Sequence, residues 1–525
     1  FFWIICSVNE RVLTSAAVDI FNRATKGRTL SPTANLSGIL MEQISQLAPQ
    51  PIWQFFSKIC SIPHPSYHEQ KISAWIQSWA KEKGLGVLED EVGNIIMKKT
   101  ATPGMEDRKG VILQAHMDMV PQKNNDTVHD FVNDPIRPYV DGEWVTAEGT
   151  TLGADNGIGL ASALAVLDSD DVPHGPIEVL VTINEEAGMD GAFGLKPGLF
   201  DGEILINTDS EQEGEVYMGC AGGIDGEASF ELALEDAPSG YESFNLSISG
   251  LKGGHSGVDI HLGRGNANKL LVRFLVDASE QFGIRLTELN GGSLRNAIPR
   301  EADASFLIAE EKVAPFKEAL ATYLATIKQN LASVEPDIDM MLISPETFDE
   351  CWTTNTQNQI LKSLNACPNG VIRMSDDIEG IVETSLNLGV LRCKGKKFVA
   401  MALIRSLHDD GRLETQTTLK SLFELAGADI KFSGAYPGWK PDTDSAIMNV
   451  VRDTYNDLFG KVPEIMVIHA GLECGLFKTA YPDWDMVSFG PTIKFPHSPD
   501  EKVEVPTVEQ YWQLLLAVLA NIPNE

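Results

Sequence analysis

VILQAHMDMV (111–120), TLGADNGIGLASALAVLDS (151–169) and IEVLVTINEE (177–186) read in order as strand, helix and strand. Four to six apolar residues precede a polar end in each strand, and the helix between them is apolar on every side. A strand returning through a helix to a second strand pairs in parallel, which makes this an α/β sheet buried on both faces. EILINTDS (203–210) adds a further strand of the same kind.

Each run ends or begins on a side chain able to hold a metal. His116 and Asp118 close the first strand, Asp155 opens the helix, Glu185 and Glu186 close the second strand, and Asp209 closes the third. His497, in FGPTIKFPHSPDE (489–501), lies nearly 400 residues from the first of them. Residues at carboxyl strand ends of an open α/β sheet are where ligands bind. Two imidazoles with several carboxylates form a mixed nitrogen and oxygen donor set, which suits zinc, manganese or cobalt better than calcium or magnesium.

The period of two along a strand puts His116 and Asp118 on one face, so His116 can ligate while Asp118 orients its ring. Asp155 reads as a helix N-cap, a position compatible with a carboxylate that bridges two ions. Glu185 and Glu186 are adjacent acids that repel each other unless a cation or proton intervenes. One of them is then a ligand and the other a general base.

At 525 residues the chain exceeds one ordinary core, and 43% hydrophobic with 22% charged residues is a globular composition. The net charge of −33 argues against nucleic acid and anionic membranes as partners. Seven scattered cysteines lack zinc-finger spacing and fit reduced thiols in a cytoplasmic protein. FFWIIC at the start is too short for a membrane span and lacks the flanks of a secretory signal. Residues 1–40 read as a non-native or disordered extension, with Met41 as the start.

Helix signals follow in PSYHEQKISAWIQSWAKEKG (65–84), where Ser66 and Glu69 have capping-box spacing and His64 and His68 flank a surface turn. From 221 to 435 the pattern changes to alternating strands and long helices. A strand-then-helix arrangement occurs at 303–330 and again at 385–427, as in a doubled α+β unit. After GAYPGWKPDTDS (434–445) the helix–strand–helix pattern returns. The predicted organisation is a first domain of 41–220 and 436–525, interrupted by an inserted domain of 221–435. SPDE, after His497, reads as a helix start.

Three further residues are candidates for binding substrate: His255 in the glycine-rich GLKGGHSG (250–257), Asn296 in RNAIPRE (295–301), and Arg405 in ALIRSL (402–407). An Arg in an apolar strand needs an anionic partner, and its planar fork suits a carboxylate. HAGLECG (469–475) is a strand-to-helix turn whose amides could hold an anion. GADNGIG and GRGNANK match no phosphate-loop or dinucleotide pattern, which argues against nucleotide binding.

HMDMVP, GADNGIG, NEEAGMDGAFGL, NTDSEQEGEVYMGCAGG, GLKGGHSG, RNAIPRE and PHSPDE together resemble the aminoacyl-histidine dipeptidases, a branch of the M20 metallopeptidases, from about Met41 to the C-terminus. The resemblance implies an M20-type catalytic domain, with a mixed, largely parallel sheet flanked by helices, and an inserted α+β lid domain. It implies two zinc ions, with cobalt or manganese as substitutes. One would be held by His116 and Asp209, the other by Glu186 and His497, with Asp155 bridging. Glu185 would be the general base and Asp118 the support of His116, while His255, Asn296 and Arg405 would bind substrate. Hydrolysis of dipeptides, Xaa-His and β-Ala-His above all, in a cytoplasmic homodimer is the implied function. The competing expectations are an N-acyl-amino-acid deacylase, a broad-specificity dipeptidase or tripeptidase, and an inactive metal-stabilised binding protein. Asn156-Gly157 after the bridging Asp departs from the basic pattern of related deacylases and favours a peptidase.

Overall fold

The computed structural model describes residues 41–524 apart from 125, 345, 346, 377 and 443. The expected extension over 1–40 lies outside the described residues, as does Cys6.

The three strands of the opening stretch form the middle of an eight-stranded sheet. Its order is Gly86–Glu89, Ile95–Lys99, Ile177–Thr182, Val111–His116, Ile204–Asn207, Asp485–Ser488, Glu215–Cys220 and Glu464–Ile468. Val111–His116 pairs in parallel with both neighbours, and Asp485–Ser488 runs parallel to Ile204–Asn207. Strands Val111–His116, Ile177–Thr182 and Ile204–Asn207 are buried at every residue, as central parallel strands covered on both faces must be. The helix Ala154–Asp168 is buried from Ala154 to Leu167 and packs between this sheet and the helix Gln50–Cys60. Its small residues allow that close approach: a Cβ on Gly157 would come within 2.9 Å of the Phe56 ring.

The second sheet is antiparallel, in the order Asp339–Ile343, Tyr241–Ser249, Ala302–Ala309, Arg285–Gly291, Val382–Lys394, Lys397–Ser406, Gly222–Glu231 and Asp429–Tyr436, with Gly370–Met374 paired beside Val382–Lys394. Its two halves meet where Gly291 pairs with Leu391. Helices Ala267–Phe282, Val313–Asn330 and Asp409–Leu425 match the periodic segments of the sequence, whereas helix Thr354–Ala366 and the strand Gly222–Glu231 were not anticipated. In that strand Ile224, Ala228 and Phe230 alternate with Asp225, Glu227, Ser229 and Glu231, a signal diluted by the glycines at 222, 223 and 226.

Each sheet has its own core. One draws on residues from Ile44 to Ala221, on Leu407, and on residues from Ile447 to Ile522; the other lies between Ile224 and Ala428. The chain passes between them at Cys220–Gly222 and at Tyr436–Trp439, where Cys220 and Trp439 exchange backbone hydrogen bonds of 3.0 and 2.9 Å. Gly222 is required there, because a Cβ would meet the Tyr436 and Pro437 backbone at 2.5 Å.

Three local readings are corrected. Ser66 and Glu69 form no capping box: the helix starts at Gln70, and both side chains turn to the metal-ligand cluster instead. His64 is buried, with Nδ1 2.5 Å from the Ile62 carbonyl, while His68 is exposed as expected. SPDE starts no helix; it ends a hairpin loop whose strands are Ile493–Lys494 and Lys502–Glu504, and the helix begins at Val505. The six described cysteines are free thiols, and no described helix is long and apolar enough to cross a membrane.

Candidate metal centre

At the carboxyl end of the first sheet the structure gathers His116, Asp118, Asp155, Glu185, Glu186, Asp209 and His497. Asp155 is not the N-cap of its helix. Gly153, with φ of 73°, occupies that position, and Asp155 has non-helical angles that aim its carboxylate out of the first turn. One oxygen, Oδ1, lies 3.3 Å from His116 Nε2; the other, Oδ2, lies 3.1 Å from His497 Nε2. His116 Nε2 is also 3.4 Å from Asp209 Oδ1, and His497 Nε2 is 2.9 Å from Glu186 Oε2. Three groups of potential ligand atoms result, each within 4.8 Å: His116–Asp155–Asp209 and Asp155–Glu186–His497, which share Asp155, and His116–Glu185–Glu186.

Asp118 lies just beyond its strand and serves as a hub. Its carboxylate is 3.4 Å from His116 Nδ1, accepts from Ser66 Oγ at 2.8 Å, and accepts from the amides of Glu185 and Glu186 at 3.0 and 3.2 Å. His116 Nδ1 also lies 3.0 Å from the Asp118 backbone carbonyl, and together these contacts hold the ring with Nε2 toward Asp155 and the two glutamates beside it. Asn184, at φ 50°, turns the chain from the strand into that pair, a conformation Asn tolerates better than most residues. Glu69 accepts from the Asn184 amide at 3.1 Å, and the Asn184 carboxamide accepts from the Tyr67 amide at 2.6 Å.

The charges of the centre demand a cation. Burial and then the neighbouring Asp155 push Glu186 up to about 7, and its Oε1 is buried without a hydrogen-bond partner. Burial and the adjacent Glu186 raise Glu185 well above the ordinary carboxylate range, and burial raises Asp209. Burial opposes charge on His497, but its contacts with Asp155 and Glu186 prevail and push it up to about 12. Clustered acids that hold protons, and imidazoles that gain them, are what a carboxylate-rich site does when protons stand in for metal ions. The donor set therefore fits two divalent cations.

The centre opens into a cavity of about 900 Å³ lined by Glu185, Glu211, His255, Arg405, Tyr436 and His497 among others. Arg405 is buried and touches Tyr436 Oη at 3.0 Å and Ser256 Oγ at 3.5 Å; among the described residues its guanidinium pairs with no carboxylate. The amides of Gly257 and Val258 point at His255 Nδ1, 3.3 and 3.1 Å away, and a guanidinium N–H of Arg405 points at its Nε2, so both ring nitrogens face donors. Burial and then Arg405 lower His255 to about 4, so it is neutral near pH 7. Arg405 Nη2 donates to that ring at Nε2 from 3.3 Å, so the guanidinium and the imidazole lie side by side in the cavity. An anionic oxygen placed there would pair with the guanidinium. Asn296 is exposed and does not line this cavity.

Sequence reading missed Ser66, Glu69, Glu211 and Tyr436 at this site, and also Glu473. The first two carried a signal, the Ser-x-x-Glu spacing, that a helix cap explained equally well. Glu473 is fully buried behind the first sheet and accepts from Gln114 Nε2 at 2.6 Å and Thr182 Oγ1 at 2.7 Å. Burial pushes it from 4.5 up to about 8, so the folded chain holds its proton more tightly than the unfolded chain and loses stability as pH rises through that window. Glu473→Gln in metal-free protein is therefore expected to flatten the fall in Tm between about pH 5 and about pH 8. A fall as steep as the parent's would show that another group carries it.

The model of peptidase family M20/M25/M40 matches residues 112–521. The chain belongs to this family. It is 57% identical over 483 residues to the cytosol non-specific dipeptidase of Escherichia coli K12, an alignment that covers 92% of this chain and 100% of that protein. It is also similar to the crystal structure of aminoacylhistidine dipeptidase from Vibrio alginolyticus, at 58% identity and a TM-score of 0.82, over 92% of this chain and 98% of that one. A Staphylococcus aureus tripeptidase shares the fold alone, at 16% identity and a TM-score of 0.52, with 91% and 99% covered. As an M20 metallopeptidase the chain is a hydrolase, and the paired ligand groups about Asp155 are in keeping with a metal-dependent one.

Proposed function

We propose that this chain hydrolyses dipeptides, preferring Xaa-His including β-Ala-His, with two zinc ions held by His116 and Asp209 on one side, Glu186 and His497 on the other, and Asp155 between them. The observation that carries the reading is the Asp155 carboxylate, whose two oxygens face two separate imidazoles while Glu185 stays free beside them. Cobalt or manganese could replace zinc in this donor set.

Two such ions supply a lowered pKa for the attacking water and polarisation of the peptide carbonyl. Glu185 takes the water proton as the oxygen adds to the carbonyl carbon, then delivers it to the amine as the C–N bond breaks. Asp118 keeps His116 and the two glutamates in register. His255 and Arg405 receive anionic oxygen, and an Arg placed to take the substrate's terminal carboxylate limits the substrate to one residue beyond the scissile bond.

The proposal extends to the chain's organisation, with 41–220 and 436–525 as catalytic domain and 221–435 as lid, supported by the two separate cores. It extends also to a cytoplasmic homodimer. Free thiols and the E. coli relative's name support the location. The exposed Asn296, outside its own chain's cavity, is in keeping with a site completed by a second copy.

A second reading, a broad-specificity dipeptidase, is favoured by the E. coli relative's name and by the size of the cavity. Rates on β-Ala-His, Gly-His, Gly-Leu, a tripeptide and an N-acetyl amino acid decide between them. Equal rates on Gly-His and Gly-Leu would support the broad reading, and cleavage of the N-acetyl amino acid alone would overturn both. Metal analysis is expected to approach two ions per chain, with activity lost to a chelator and restored by zinc. Full activity with one tightly bound ion would remove the bridging role of Asp155.

A further inference from the structure

The SPDE segment that follows His497 is not a helix start, yet its glutamate is one of the most completely engaged side chains in the molecule. Glu501 is 2% exposed. Its Oε2 accepts from the amides of Leu152 and Gly153 at 2.8 and 3.0 Å, and its Oε1 accepts from the amides of Ala154 and Asp155 at 2.8 and 3.3 Å. Gly153 makes no side-chain cap for the helix Ala154–Asp168, so Glu501 caps it from 346 to 349 residues away along the chain. A carboxylate at a helix N-terminus is favoured by the exposed amides and by the helix dipole.

The position of Glu501 is itself set by the small sheet in which Ile493–Lys494 pairs with Lys502–Glu504, and Lys502–Glu504 with Trp144–Ala147. The hairpin loop between these strands thus carries both His497 and Glu501. His497 faces Asp155 Oδ2, while Glu501 holds the backbone of the same aspartate.

We propose that Glu501 is a positioning residue for the bimetal centre: by clamping the amides of Leu152–Asp155 it sets the Asp155 carboxylate at the joint of the two half-sites. This rests on the bridging role given to Asp155. Gln at 501 would keep the volume but turn an amide NH₂ donor toward backbone N–H donors, so it cannot restore the clamp. Residues that orient a ligand typically change metal affinity by roughly 10- to 100-fold when replaced.

Full-length parent, Glu501→Gln, Asp155→Asn and the exposed-site control Asp500→Ala would be stripped with chelator and titrated with zinc by calorimetry, with thermal unfolding of each metal-free form measured alongside. Glu501→Gln is expected to weaken both zinc sites by roughly 10- to 100-fold, with turnover recovering in part at high zinc, while Asp500→Ala matches the parent. A Glu501→Gln protein that is less stable but binds two zinc ions with parental affinity would reduce Glu501 to a helix cap and overturn the proposal. Parental affinity in Asp155→Asn would instead overturn the bridging reading beneath it. Should Glu501→Gln fail to fold, amide hydrogen exchange in the metal-free parent decides. Slow exchange at Leu152–Asp155, released on the same time course as the His497 hairpin, supports the clamp, and rapid exchange at those four amides overturns it.

Discussion

Glu185→Ala is expected to retain both metal ions and lose most of its turnover, by roughly 10²- to 10⁴-fold in kcat, the usual contribution of a positioned proton-transfer group. The two adjacent glutamates are held alike by the Asp118 carboxylate through their backbone amides, and a carboxylate oxygen of each lies within 4.8 Å of the other, but their remaining contacts differ. Glu186 meets His497 at 2.9 Å, inside a ligand group that includes Asp155. Glu185 makes no side-chain hydrogen bond among the described residues and lines the cavity. Glu186→Ala should accordingly lose metal as well as rate. Metal content after gel filtration, read beside kcat for both variants, separates the two roles. Equal metal retention in the two variants would mean that base and ligand are reversed or wrongly assigned, an outcome that the proximity of His116, Glu185 and Glu186 within 4.8 Å makes worth testing.

Arg405→Ala is expected to depress kcat/KM for dipeptides by roughly 30-fold or more, since loss of a desolvated Arg–carboxylate pair costs on the order of 2–5 kcal/mol. The guanidinium is buried on a strand of the second sheet, with a tyrosine hydroxyl, a serine hydroxyl and a neutral imidazole as neighbours. A buried cation with only neutral partners is expensive unless an anion arrives. The same variant should narrow the gap between a dipeptide and its C-terminal amide, because the carboxylate that distinguishes them is no longer read. If the variant still rejects the amide as strongly as the parent, Arg405 serves the fold and not the substrate. Tyr436→Phe should cost less, for it removes one contact to Arg405 and leaves the charge.

The metal-ligand set was legible in the sequence because of where strands end. In a parallel sheet buried on both faces, strand interiors are mostly apolar, with the few polar residues such as Gln114 and Asn207 hydrogen-bonded inside, and ionisable side chains collect where the strands emerge. His116, Glu185 and Asp209 therefore stood out, although nothing in their spacing reveals distance in space. The return of the chain was legible for the same reason, since His497 follows a second α/β pattern. Short polar strands were not legible. The strands of the small sheet around Trp144–Ala147 run only two to four residues, too short to show a period, and their order comes from partners far along the chain.

The sequence by itself determined the α/β class, the residue types of the centre and the interruption of one pattern by another, because hydrophobic period and strand-end chemistry are local properties. Only the tertiary structure decided how polar side chains are shared out. Ser66 and Glu69 had the spacing of a helix cap but went to Asp118 and Asn184, and the cap that Asp155 was expected to provide is made by Glu501. Asn296 had the motif of a substrate residue but is exposed and does not line the cavity. A buried carboxylate or amide takes whichever unsatisfied donors the packed chain brings within about 3 Å, and that choice is made across hundreds of residues, where no spacing in the sequence can record it.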